Sequence, residues 1–209
     1  MIRLHPRLQD PDTIRRLAAV WQRRRSIRLA PLMAAEDAQR VHAALIEQSF
    51  SLYAPDPGSF RFQFWVHSFT PEDDALSPVL AAFGRWLLSD VVTLCAAITG
   101  QTLAAADDRK LLAALYSRGC YLDPHNDADG ARRVAYVVGL TEGSWPASEG
   151  GHLEFLSVSR DSVTVIERRP PGWNTLDLFD VFERQPLHQV PPLLTERARR
   201  VFAGWFYGG

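Results

Sequence analysis

From residue 111 to the carboxyl end the chain reads as short alternating segments divided by Gly-, Pro- and Asp-rich turns, and this pattern restricts the fold most. The segments are LLAALYSR, YLDPHND, RRVAYVVGL, HLEFL, SVTVIE, NTLDLFDV, PLHQV and RRVFAGWFY. Strands this short bury a face only by pairing, and about eight of them close into a barrel or a double-sheet jelly roll. LLAALYSR also reads as a helical turn on propensity alone. Before residue 110 the period changes. Ile14, Leu17 and Trp21 recur at helical spacing, as do Ala38, Val41 and Leu45, and then Leu80, Phe83, Leu87, Val91, Leu94 and Ile98 up to a stop at Gly100. Between the second and third of these helices, SFRFQFWVHS sets Phe60, Phe62, Phe64 and Val66 on one face against Arg61, Gln63, Trp65 and His67, the period of a half-buried strand. The expectation is one α+β domain over 1–209, with 1–110 mainly helical support and 111–209 the β core.

A chain of 209 residues with 46% hydrophobic and 22% charged residues buries a real core. A net charge of −1 argues against a general nucleic-acid binder. Residues 1–30 nevertheless hold eight arginines against two aspartates, read as a solvated helix face in preference to a docking site for an acidic partner. Cys95 and Cys120 are too few for a disulfide framework, which fits a reducing compartment. The start lacks the apolar stretch of a secretory signal, and WLLSDVVTLCAAITG is interrupted by Asp90 and falls short of the roughly 20 residues that span a bilayer. A soluble cytoplasmic protein without membrane partners is expected.

The chemistry concentrates in DPHNDADG, residues 123–130. Read as a calcium loop it fails, because its first ligand would be the His125 imidazole and its twelfth Tyr136, where a bidentate glutamate is required. The alternative is the pair His125 and Asp127. On an extended chain these two point to one side and present a nitrogen and a carboxylate to one ion, a mixture that iron(II) accepts. His188 in PLHQV, flanked by Pro186, Leu187 and Val190, is the best placed third ligand, since a jelly roll returns its penultimate strand beside an early one and so sets it across the barrel mouth. A packed, hydrogen-bonded histidine is the other reading of that residue. On the last strand Arg199, Val201, Ala203 and Trp205 share a face opposite Arg200, Phe202, Gly204 and Phe206. An arginine facing inward requires a buried anion, and its planar fork suits a carboxylate, while a surface charge at the strand entrance is the other reading of Arg199.

Taken in order, Tyr116, His125-x-Asp127, Arg132-Arg133 before a strand, Trp145, Gly150-Gly151-x-Leu153, His188, and Arg199 six residues before Trp205 resemble the prolyl 4-hydroxylase type of 2-oxoglutarate- and iron(II)-dependent oxygenases. The likeness is greatest to the ribosomal prolyl hydroxylase-like branch and its bacterial relatives, and it covers roughly 111–209. It implies a double-stranded β-helix of the cupin-like kind. It implies iron(II) on His125, Asp127 and His188, and 2-oxoglutarate with its far carboxylate on Arg199 and a phenolic hydrogen bond from Tyr116. Dioxygen would be the other co-substrate and ascorbate a supporting reductant. The implied reaction splits 2-oxoglutarate to succinate and carbon dioxide and hydroxylates a carbon of a prolyl or other peptidyl residue, with a free amino acid or small natural-product intermediate as the alternative. Two departures stand out. Val201 occupies a position where relatives often carry a hydroxyl, and Gly139 one where they carry an aromatic, which predicts looser co-substrate binding or a wider pocket.

Trp145 and Trp173, on the loops TEGSWPASEGG and RRPPGW, together with Arg133, are the candidate substrate contacts. For the two tryptophans a purely structural cover over the barrel mouth is an equal reading. His152 reads as exposed at a turn, Cys120 as a small packing residue, and Glu149 and Asp177 as turn and strand-surface charges. Two other classes stay open. A zinc hydrolase on the same ligands would need a glutamate base, and an inactive binding module would keep the barrel with a blocked pocket.

Overall fold

Asp10 accepts hydrogen bonds from the backbone of Thr13 and Asp12, and Pro11 fills a first-turn position where its missing N–H costs nothing. Helix α1 therefore starts at this pair and runs Pro11–Arg24, ending where Arg25 turns left-handed at φ 53° and donates its N–H to the Trp21 carbonyl. Helix α2 is Ala35–Ile46. Helix α3, Pro78–Trp86, continues through a π turn at Leu87–Val91 into α4, Val92–Thr99, and stops at Gly100 with φ 70°. The run Pro78–Thr99 has 22 residues, longer than the apolar segment read from the sequence, and passes the length and composition of a membrane span. In the fold its Leu80, Phe83, Leu87, Val91, Leu94 and Ile98 face is buried in the core. The computed structural model describes residues 1–54, 61–73, 75–181 and 187–208, so Phe60 and Pro186 lie outside the described residues.

The strands are β1 (Ser26–Leu29), β2 (Ser51–Tyr53), β3 (Phe62–Phe69), β4 (Leu103–Ala104), β5 (Leu111–Tyr116), β6 (Tyr121–His125), β7 (Arg132–Leu140), β8 (Leu153–Val158), β9 (Val163–Arg169), β10 (Trp173–Asp180), β11 (Leu187–Val190) and β12 (Arg199–Gly208). The eight from β5 onward are those read from alternation. LLAALYSR is a strand because β12 and β3 claim its two edges, a tertiary decision that its propensity left open. The order β1-β10-β7-β12-β5-β3 makes one antiparallel sheet and β6-β11-β8-β9 the other, and β3 joins them by pairing with β6. Strands β1 and β3 come from before residue 110, so that region supplies sheet as well as helices. The sheet curls into the expected double-stranded β-helix.

Alternation then sorts the side chains. On β7 Val134, Tyr136, Val138 and Leu140, and on β12 Phe202 and Phe206, pack outward against Phe83 and the other helix residues of the main core. Inward-facing Ala135 and Val137 on β7, and Arg199, Val201, Ala203 and Trp205 on β12, line the space between the sheets. Strand β7 is apolar on both faces because both faces are covered. Of the amino-terminal arginines, Arg15, Arg16, Arg23 and Arg24 lie exposed on α1 as expected, and others are engaged elsewhere. Arg28 lies on β1 and is tied to Asp177, Arg25 pairs with Asp180, and Arg3 pairs with Glu36.

Asn174 locks the chain after β1 onto β10. Its Oδ1 accepts from the N–H of Leu32 at 3.2 Å and Met33 at 2.9 Å, its Nδ2 donates to the Met33 carbonyl at 2.8 Å, and its own φ is 53°. Asn174→Ala removes these bonds, orphans buried backbone groups and places alanine in a left-handed conformation. Urea denaturation is expected to show a loss of about 3 kcal/mol. A variant within about 1 kcal/mol of the parent would mean that the contact is dispensable.

Candidate metal and co-substrate site

His125 ends β6, Asp127 follows two residues later, and His188 comes in on β11 directly opposite His125 in the antiparallel register. His188 is therefore beside His125, with ring centroids 4.1 Å apart, and not across the barrel mouth from it. Asp127 reaches both rings, its Oδ1 3.6 Å from His125 Nε2 and its Oδ2 3.3 Å from His188 Nε2. One ligand atom from each of the three lies within 4.8 Å of the others, a spacing that suits a single ion. His125 Nδ1 sits 2.9 Å from the Asp123 carbonyl, which only accepts, so Nδ1 carries the proton and Nε2 offers its lone pair.

Burial sets the charge state. His188 is packed against Phe155 and Phe179, and loss of water pushes its pKa down to about 4, against the pull of Asp127, so it is neutral near pH 7. Burial alone would raise the Asp127 carboxyl. The contacts with His125 and His188 outweigh it and hold the group below its ordinary range. Two imidazoles and one carboxylate make the donor set of a facial site with open positions.

The other end of the same cavity carries Arg199, 4% exposed, with Nε and Nη1 buried and without a hydrogen-bond partner. Its guanidinium lies 4.6 Å over the Tyr116 ring, which stacks at 5.0 Å on Phe64. Burial raises the Tyr116 phenol, so it stays a donor. Burial also lowers the Arg199 pKa, with Tyr116 and Asp177 resisting. Asp177, expected on the surface, is 3% exposed and already taken. Arg28 grips it by two bonds of 2.8 and 2.7 Å, and Arg169 adds one of 3.0 Å. Arg169 also pairs with Glu167, so three guanidinium groups face two carboxylates and the excess charge sits on Arg199. Unpaired buried donors beside a cavity of about 800 Å³ fit the far carboxylate of a dicarboxylic acid.

The expected substrate contacts are elsewhere. Trp145 is buried outside the cavity wall, its indole donating to the Gly150 carbonyl at 2.8 Å and covered by Arg197. Trp173 packs on the helix side, edge-on to His42 at 5.3 Å. Arg133 is exposed and bonds to the carbonyls of Gly130 and Arg132. Its neighbour Arg132 lines the cavity, stacked 3.7 Å over Trp205. The cause is a bulge. Phe206 pairs with Val134 and Tyr207 with Arg132, which leaves Arg133 as the extra residue and reverses the alternation. His152 is buried, not exposed, whereas Cys120 packs as expected in the inner core. Gly139 does not widen the pocket. A Cβ there would meet Thr175 Oγ1 at 2.5 Å and the Gly172 carbonyl at 2.6 Å, so the space is filled. The aromatic wall is Tyr53, Phe62 and Phe64, which alternation of β3 signals in part.

Residues 111–207 match the 2OG-Fe(II) oxygenase superfamily. Over 99 residues the chain is 32% identical to a prolyl 3,4-dihydroxylase, OGFOD1, of Ostreococcus tauri, covering 44% of this chain and 19% of that protein. The chain thus spans about a fifth of the curated relative it matches. Among solved structures, a Pseudomonas putida prolyl-4-hydroxylase superposes with a TM-score of 0.66 at 18% identity, covering 94% of this chain and 99% of the other. A Trichoplax adhaerens prolyl hydroxylase, in complex with a hypoxia inducible factor oxygen degradation domain peptide fragment, gives 0.69 at 16% identity, covering 94% and 89%. At these identities the structures establish the shared fold.

The depressed pKa of His188 has a stability consequence. Between its ordinary 6.5 and about 4, the unfolded chain takes up a proton that the folded protein refuses. The metal-free protein is therefore expected to lose roughly 2 kcal/mol as pH falls from about 7 to about 4.5, and His188→Gln to remove most of that loss. Denaturation at the two pH values checks it. The Asp127 contribution is lost only at lower pH, because its folded value lies below the usual 3.8.

Proposed function

We propose that this chain, whose residues 111–207 match the 2OG-Fe(II) oxygenase superfamily, is an iron(II)- and 2-oxoglutarate-dependent dioxygenase that hydroxylates a carbon of a prolyl residue in a peptide or protein. The observation that carries the reading is one cavity with the His125, Asp127 and His188 triad and the Arg199 guanidinium, two of its nitrogens without a partner, on its wall. His125, Asp127 and His188 would hold the metal. Iron(II) there, with 2-oxoglutarate and dioxygen, supplies the oxidant for an unactivated C–H bond.

The chain's own groups supply binding and exclusion of water. Arg199 holds the far carboxylate of the co-substrate, and Tyr116, kept protonated by burial, donates a hydrogen bond beside it. Neutral His188 keeps its lone pair available near neutral pH. Leu122, Val190 and Val201 make the cavity wall apolar between the two polar ends. Phe62, Phe64 and Tyr53 offer flat apolar faces that suit a proline ring. The prolyl preference is supported by the names of the Ostreococcus relative and the Pseudomonas neighbour, and the peptide form by the Trichoplax complex. The competing classes lack support. Among the described residues no glutamate lines the cavity to serve a zinc hydrolase, and the cavity is open, unlike that of a blocked binding module.

His125→Ala, Asp127→Ala and His188→Ala are each expected to abolish succinate formation from 2-oxoglutarate with the fold retained. Arg199→Ala should leave metal binding intact and raise the 2-oxoglutarate requirement at least about tenfold. Arg200→Ala should not, since the Arg200 backbone pairs with Thr141 and its side chain points away from the cavity. Metal analysis with succinate release separates these outcomes. For the substrate, iron-loaded protein with 2-oxoglutarate is incubated with prolyl peptides, host-cell proteins and free amino acids and followed by mass spectrometry. A gain of one oxygen on a prolyl peptide is expected. A gain confined to free amino acids or other small metabolites would remove the peptidyl assignment.

A further inference from the structure

Trp205 turns inward on β12 and lines the main cavity together with Asp127. Its indole nitrogen is enclosed and has no hydrogen-bond partner, although an indole N–H can only donate. Stable folds rarely leave a buried donor idle. One guanidinium ties this tryptophan to the metal-binding loop. Arg132 stacks 3.7 Å over the indole ring, while its Nη1 donates to the Asp127 carbonyl at 3.5 Å and its Nη2 reaches the Asp129 carboxylate at 3.4 Å. Stacking fixes the plane of the indole, and with it the direction in which the N–H can point. The indole also stands near enough to the Asp127 carboxylate to help hold that carboxyl below its ordinary range. A carboxylate that gives one oxygen to a metal keeps the other for a hydrogen bond, and donors to that second oxygen orient the ligand.

We infer that Trp205 is a positioning residue for the metal: its indole N–H donates to the Asp127 oxygen that the metal leaves free, an inference that rests on the metal-site reading above. Arg132 acts through the ring, holding the indole face and the Asp127 backbone with one side chain. An idle donor in the metal-free chain thus finds its acceptor when the metal draws the carboxylate into place. Without the N–H, the free oxygen of a carboxylate that is only 7% exposed lacks this partner, and the cost falls on metal binding.

The test uses the full chain and needs no turnover. Trp205→Phe keeps a flat ring under Arg132 and removes the N–H, so it is expected to raise the manganese(II) Kd, measured by calorimetry, about tenfold or more. The urea midpoint of the metal-free protein should stay that of the parent, because the donor has no partner there. The second measurement is made on the parent, with its indole nitrogens isotopically labelled and zinc(II), which is diamagnetic, added. The Trp205 Nε1–H resonance, identified by its absence from Trp205→Phe, is expected to move downfield and to exchange more slowly with solvent. A resonance that stays in place on zinc(II) loading, or an unchanged manganese(II) Kd in Trp205→Phe, overturns the inference while leaving the three ligands in place. A loss of metal affinity matched by a fall in the metal-free urea midpoint also overturns it, since the ring would then act by packing alone. A parent protein that binds manganese(II) no better than Asp127→Ala overturns both the inference and the metal-site reading.

Discussion

Everything chemical in this chain depends on the pairing of β11 with β6, which sets His188 opposite His125 although 63 positions separate them (188 − 125). Side chains alternate along a strand, so a slip of one residue would turn an imidazole out of the cavity. The register is held from both edges of β11, because His188 also stands opposite Phe155 on β8. The same packing gives the histidine its chemistry. Phe155 and Phe179 exclude water, and a neutral ring with an available lone pair follows from that exclusion. Geometry and protonation state thus come from one piece of sheet.

The far end of the cavity is governed by a different cost. Burying guanidinium groups is unfavourable unless each finds an anion, and here Arg28 and Arg169 converge on Asp177 from β1 and β9. That arrangement explains the short strand β1, which is otherwise a minor addition at the sheet edge: it carries Arg28 to the aspartate. It also leaves Nε and Nη1 of Arg199 without a protein partner at the buried end of the cavity. A buried cation with unsatisfied donors is a stored preference for an anionic ligand, and its position opposite the triad in one cavity gives that preference a direction.

The helices and the eight core strands were legible because their signals are local. The helical period and the stop at Gly100 act within a turn of the chain, and alternation on β12 correctly turned Arg199 inward. The triad was legible from residue chemistry, since few residue types suit a borderline metal. What was misread had non-local causes. Arg133 lost its expected place to Arg132 through a bulge that no composition rule marks. Trp145 and Trp173 looked like a groove because loop tryptophans are usually exposed, yet a carbonyl at Gly150 and the ring of His42 had claimed them. Asp177 carried a signal that was passed over, for it shares the inward period of Thr175 and Phe179 on β10.

The sequence by itself determined the inventory of elements, the inward or outward sense of most side chains, and the chemical class of the site. Those follow from backbone sterics, period and side-chain type, which act over a few residues. Only the tertiary structure decided which inward residues meet. It placed His188 against His125, filled the space at Gly139 with Thr175, engaged Asp177 and left two nitrogens of Arg199 without a partner. Each of these outcomes depends on strand order, register and bulges, which are settled by how distant surfaces pack together and carry no mark in any one stretch of the chain.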